Sequence, residues 1–138
     1  MTKLNAGALL IRDFRIAVDD GRSHSICLDL PTETGSDMGP TALELCLMSY
    51  AGCYATIFAF TAKKMRIPIK EPDIKLEAFE SEEAGTITEA NLDITVKADA
   101  SADRIERIHK LTLQDCPVGK LFEKAGVKTE YTLRTKKP

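Results

Sequence analysis

From Phe14 the side chains alternate, with Phe14, Ile16 and Val18 apolar between polar neighbours; after a break at Asp20-Gly21 the alternation resumes at Ile26, Leu28 and Leu30. Period two belongs to a strand with one buried face, and two such runs around a Gly-containing turn predict a hairpin. A further strand is predicted over about Leu4 to Ile11. Pro31 to Pro40 is rich in Pro, Gly, Ser, Thr and Asp, a mixture that helix and strand both disfavour, so it predicts a loop. Thr41 to about Arg66 then predicts a long helix, with Thr41 as N-cap and Glu44 three residues later in the capping-box arrangement.

No charge interrupts that helix between Glu44 and Lys63. The run Leu45 to Ala62 approaches the ~18 to 20 apolar residues that span a bilayer. It also holds Ser49, Tyr50, Gly52, Tyr54, Thr56 and Thr61, and no other segment resembles it. A helix apolar all round in a small chain is more simply one buried on every side, by a sheet and by a second subunit. Alternation returns after Pro68 at Ile74, Leu76 and Ala78, turns near Glu83-Ala84-Gly85, and continues at Leu92, Ile94, Val96 and Ala98 as a second hairpin. Ser101 to about Leu113 predicts an amphipathic helix with Ile105, Ile108 and Leu111 on one face. Cys116-Pro117 opens a short helix that Gly126 ends, and Val127, Thr129, Tyr131 and Leu133 make a last strand. The order is α+β, in a single domain over 1–138.

Composition narrows the function more than the fold. A chain of 138 residues can bury a core without disulfides or metal. With 43% hydrophobic and 29% charged residues and a net charge of -2, nothing points to nucleic acid or to an anionic membrane surface. Met1 to Asp13 does not read as a secretory signal, so the expected location is the cytoplasm. In that reducing compartment the even count of four cysteines is no evidence for structural disulfides. Their spacing, and the isolation of His24 and His109, call for no metal, and no cofactor is expected.

Reactive thiols remain. Cys53 lies deep in the long helix, away from the terminal turns where the dipole acts, and its bland reading is a small buried hydrophobe. Cys116 precedes Pro117, which suits the first helical position, so its sulfur should sit at an N-cap beside unpaired N–H groups that stabilise a thiolate. Ser, Thr, Asp or Asn would cap better, and that mismatch argues mildly for chemistry. Cys46, seven residues before Cys53 and about 10 Å away along the axis, is too far for a disulfide within a regular helix and reads as core. Cys27, out of phase with Ile26 and Leu28, reads as incidental.

Two segments carry a resemblance. Gly35-Ser36-Asp37-Met38-Gly39-Pro40-Thr41-Ala42-Leu43-Glu44-Leu45, running into Ala51-Gly52-Cys53, resembles the loop and helix of the OsmC/Ohr family, where a G-P-x-x-x-E-L run precedes a helical G-C. Asp115-Cys116-Pro117-Val118 is similar to the segment holding that family's second cysteine. The resemblance implies antiparallel sheets around a long buried central helix, an intertwined homodimer, and thiol-dependent reduction of organic hydroperoxides. It makes Cys53 the attacking thiol, Cys116 its disulfide partner, and an external dithiol the reductant, aided by a low pKa at Cys116.

The family's activating groups are an Arg and a Glu early in the helix. In the Ohr-like pattern that Glu falls ten residues before the cysteine, which here is Leu43; Glu44 stands one position on, rotated by about 100°. Capping and catalysis are equal readings of Glu44. Arg22 is the candidate Arg, with a solvated turn residue as the equal alternative. Beside the peroxidase stand two other classes: a dimer that binds an apolar or thiol ligand and senses oxidation through Cys53, and a structural dimer with inert thiols.

Overall fold

The structure is a computed structural model describing residues 1–138. Two units are distinguished, Met1–Cys46 and Leu47–Pro138. In the first, β1 (Gly7–Arg12), β2 (Arg15–Asp19) and β3 (Ser25–Leu28) form an antiparallel sheet in sequence order. Ile16 pairs with Leu28 and Ala17 with Cys27, which is the register the alternation demands. The expected buried face is thin, however. Leu28 is buried, Ile26 is 42% exposed, and every residue of β1 is exposed, including Leu9, Leu10 and Ile11.

Asp29, just past β3, organises the loop that follows. It is 3% exposed; its Oδ1 accepts from Leu30 N–H at 2.8 Å and its Oδ2 from Met38 N–H at 3.1 Å. Gly39 is needed where the loop returns, because a Cβ there would lie 1.8 Å from the Cys27 carbonyl oxygen. Close approach of backbone to backbone is a glycine position. The loop delivers Thr41 to the start of α1 (Ala42–Lys64), where the capping box forms: Thr41 N–H donates to Glu44 Oε1 at 3.0 Å and Glu44 N–H to Thr41 Oγ1 at 3.1 Å.

In the second unit α1 carries Tyr50, Tyr54, Phe58 and Ala62, each within 1% of full burial. Their spacing of four places them on one face. Each large side chain there contributes roughly 1.5–3 kcal/mol by leaving water. The helix ends at Arg66, whose φ of 54° puts it in the left-handed region; Ile67 N–H then bonds back to the Ala62 carbonyl and Arg66 N–H to that of Lys63. That is a Schellman closure, followed by Pro68.

A sheet of order β4 (Ile69–Ser81), β5 (Thr86–Ala98), β6 (Lys128–Lys136) completes the core. Central β5 buries Ala90, Leu92, Ile94, Val96 and Ala98. Pro72 sits in edge strand β4, at a register irregularity between Lys70 and Asp73 where no ladder donor is missed. The expectation of purely antiparallel sheets needs one correction, because β6 pairs with β5 in parallel. Two helices, α2 (Ala102–Asp115) and α3 (Pro117–Lys124), occupy the connection, and a crossover of that length returns the strand in the same direction. On α2 the buried face is Ile105, Ile108, His109 and Thr112, while Leu111 is only half-buried.

Candidate active site

Cys53 and Cys116 meet in the second unit. Cys53 is half-buried on α1, one turn beyond the fully buried Tyr50. Cys116 reaches it because α2 is anchored by Ile105, Ile108 and Thr112, and because one residue serves two helices. Cys116 caps the C-terminus of α2 through its N–H, which donates to the Thr112 carbonyl at 2.8 Å, and caps the N-terminus of α3 through its sulfur, which accepts from Gly119 N–H at 3.4 Å. Pro117 occupies the first helical position as its fixed φ favours. The Cys116 S–H donates to Cys53 Sγ at 3.2 Å. A disulfide is about 2.05 Å long, so bond formation needs an approach of little more than 1 Å.

The expectation of a stabilised Cys116 thiolate is not met. Burial pushes the Cys116 thiol up to about 11, reinforced by its hydrogen bond to Cys53, and the Gly119 N–H offsets only part of this. The N-cap contacts from the Gly119 and Val118 N–H groups stabilise charge less than removal from water disfavours it.

Aromatic hydroxyls surround the pair. Tyr50 Oη lies 2.6 Å from Tyr131 Oη, and Tyr54 Oη lies 2.5 Å from His109 Nδ1. Burial raises all three tyrosines above their usual range, so they stay protonated, and burial also lowers His109. Tyr54 and a neutral His109 are thus joined by a hydrogen bond between two uncharged groups. A cavity of about 310 Å3 opens between Tyr50, Tyr131, Leu113, Val127, Gly119 and Cys116.

The other two predicted residues lie in the first unit, each with a local partner. Glu44 is in the capping box, where the Thr41 N–H and then the Thr41 hydroxyl hold its carboxyl below the usual range. Arg22, 77% exposed at its side chain, sits in the β2–β3 turn with its guanidinium 3.2 Å from Asp20. Cys46, expected in the core, is exposed, and Cys27 is half-buried with its S–H toward the Leu28 carbonyl. Sequence reasoning passed over Arg15 and Asp29, whose side chains approach to 3.8 Å with the Arg15 Nε buried and without a hydrogen bond. Their signal was present: both fall out of phase with the apolar positions of paired strands. Tyr50, Tyr54, His109 and Tyr131 had none, because contacts 55 and 81 residues apart leave no local pattern.

A family model described as OsmC-like protein matches residues 35–132, a span that holds both cysteines. None of the curated protein sequences compared with the chain matches it. Among solved structures, an OsmC-like protein from Mycoplasma pneumoniae is 18% identical and superimposes with a TM-score of 0.87 over 97% of each chain. An organic hydroperoxide resistance protein from Elizabethkingia anophelis is 15% identical, with a TM-score of 0.72 over 100% of this chain and 98% of that one. The organic hydroperoxide resistance protein of Bacillus subtilis is 18% identical, with a TM-score of 0.64 over 98% of each. At such identities the likeness is one of fold.

Proposed function

We propose, for a chain that belongs to the OsmC-like family, that it is a cytoplasmic, homodimeric thiol peroxidase reducing organic hydroperoxides through Cys53 and Cys116. The observation that carries the reading is the 3.2 Å contact of the two sulfurs, with Cys116 as the donor. That contact puts the two sulfurs within reach of a disulfide, and the family resemblance makes Cys53 the nucleophile of the pair. Its thiolate attacks the outer peroxide oxygen; the O–O bond breaks, the alkoxide leaves and takes a proton to become the alcohol, and Cys53 is left as a sulfenic acid. Cys116 sulfur then attacks Cys53 Sγ. The S–OH bond breaks, the Cys116 proton goes to the departing hydroxyl as water, and a disulfide remains. Two electrons from an external dithiol restore both thiols.

Glu44 and Arg22 enter this proposal as the family's activating pair only by resemblance. The capping box and the Asp20 contact each offer them another employment. The test is anaerobic reduction, addition of one equivalent of cumene hydroperoxide, and a count of free thiols. The expected loss is two thiols per chain, with one alcohol formed. Cys53→Ser should abolish peroxide consumption in a folded protein, since a hydroxyl is a far poorer nucleophile at neutral pH. Cys116→Ser should complete one turnover and stop. Full turnover by Cys53→Ser would overturn the reading. A disulfide that forms without catalytic turnover would favour an oxidation sensor instead.

A further inference from the structure

The cavity beside Cys116 belongs to the second half of the cycle rather than the first. Its wall includes Cys116 but not Cys53, so space next to the pair opens on the Cys116 side. Cys116 lines this cavity and is itself 1% exposed. Gly119 supplies a second observation. It lies inside α3 without a positive φ, where glycine weakens a helix relative to alanine, so backbone geometry does not require it. A side chain there would press on the Tyr50 ring, 3.1 Å from its Cβ, and occupy the space against Cys116 Sγ, 3.4 Å away. The absent side chain keeps that wall open.

We infer that this cavity is the port through which a small thiol reductant without carboxylates near its sulfur reaches the disulfide, attacking Cys116 Sγ and expelling Cys53. The inference rests on the disulfide cycle proposed above. A cavity of about 310 Å3 is at the small end of ligand pockets, which run from roughly 300 to 1,000 Å3, and suits a small molecule. Exposed Glu123 stands in the lining and repels carboxylates, while Leu113 and Val127 supply apolar contact. The Tyr50–Tyr131 pair has two hydroxyl protons and one mutual bond, leaving one O–H to donate to a bound sulfur.

In the exchange, the reductant thiolate bonds to Cys116 Sγ, the S–S bond breaks, and its electron pair departs on Cys53. The reductant's second thiol then attacks its own first sulfur in the mixed disulfide, closing an intramolecular disulfide and releasing Cys116, which takes up a proton. Leaving-group chemistry favours this order for the intermolecular step, and leaves the poorer leaving group, Cys116, to the intramolecular closure, where the second thiol acts at high effective concentration. Attack at Cys53 would expel Cys116, a thiol that burial pushes up to about 11, and such thiols leave slowly.

The disulfide is best prepared with diamide, a chemical thiol oxidant, so that the port is tested even if hydroperoxides prove not to be substrates. The hydroperoxide thiol count, run separately on reduced protein, tests the peroxidase reading alone. Wild-type disulfide is treated with excess 2-mercaptoethanol, quenched in acid early in the reaction and mapped by mass. The adduct is expected on Cys116, with Cys53 free; an adduct chiefly on Cys53 would overturn the inference. Thr129→Phe, which enlarges a lining side chain into the cavity space, should slow reduction by dithiothreitol at least about tenfold, and an unaltered rate counts against the port. Glu123→Gln should raise the rate with glutathione relative to dithiothreitol severalfold. A fixed ratio would remove Glu123 from the selection of reductant.

Discussion

Cys116 is capped, buried and donating, and these three facts pull its chemistry in different directions. Gly119 N–H favours the thiolate, while burial and the contact with Cys53 favour the thiol and prevail, with the pKa pushed up to about 11. If the thiolate is the form that condenses with a Cys53 sulfenic acid, its fraction grows about tenfold per pH unit below that value. Disulfide formation after a single peroxide pulse should therefore accelerate steadily from pH 7 to 10. A plateau reached by pH 8 would mean that the sulfur is activated after all. Glu44 poses the opposite question at the same scale. Its carboxylate is held by the Thr41 N–H and hydroxyl, so Glu44→Gln, which keeps an acceptor, should leave the oxidation rate of Cys53 and the melting temperature nearly unchanged. A rate loss beyond about tenfold, equivalent to ~1.4 kcal/mol of barrier, at constant stability would restore a catalytic Glu44.

Helix α2 couples the site to pH through a residue outside the thiol chemistry. His109 is 7% exposed and hydrogen-bonded to Tyr54 on α1; Glu106 favours its charged form and Lys110 opposes it, but burial is the larger effect and lowers its pKa. A histidine held neutral in the fold binds its proton more readily when unfolded. Its contribution to stability is fully present above the unfolded pKa of about 6.5 and declines as pH falls below that value, until the folded group also protonates. The melting temperature should fall between pH 7.5 and 5.5, before carboxylates titrate, and His109→Gln should flatten that segment. A wild-type profile already flat there would show that the imidazole is not held neutral. The same helix explains why Leu111 is less buried than its period suggests. The covered face is drawn by His109 and Thr112, polar residues whose hydroxyl and ring bonds are satisfied inside.

A single chain leaves much apolar surface bare. Leu9, Leu10 and Ile11 on β1 are 60% exposed or more, and Met48 and Phe60 on α1 are 53% and 55% exposed. α1 is long and apolar enough to cross a membrane by length and composition, yet one of its faces is packed on β5. Exposed hydrophobic surface of this extent is characteristic of interaction sites. In the proposed homodimer a second copy would cover the exposed face of α1, the arrangement expected from its all-round apolarity. The expected outcome is a water-soluble dimer in light scattering without detergent. A stable monomer, or solubility only in detergent, would refute this.

Elements were legible in the sequence because their causes are local: alternation in β2, β3 and β5, the Thr41–Glu44 box, the helical period from Ser101, and Cys116-Pro117 at the start of α3 all act within a few residues. The pairing of Cys53 with Cys116 was legible only by family resemblance, since 63 residues separate them. Tertiary structure alone decided what burial and long-range contact decide. It made β6 parallel through the length of the α2–α3 crossover, and joined Tyr50 to Tyr131 and Tyr54 to His109. It also turned the Cys116 thiol, which its cap position marked for charge, into a protonated donor, because desolvation depends on every neighbour and the cap only on the adjoining backbone.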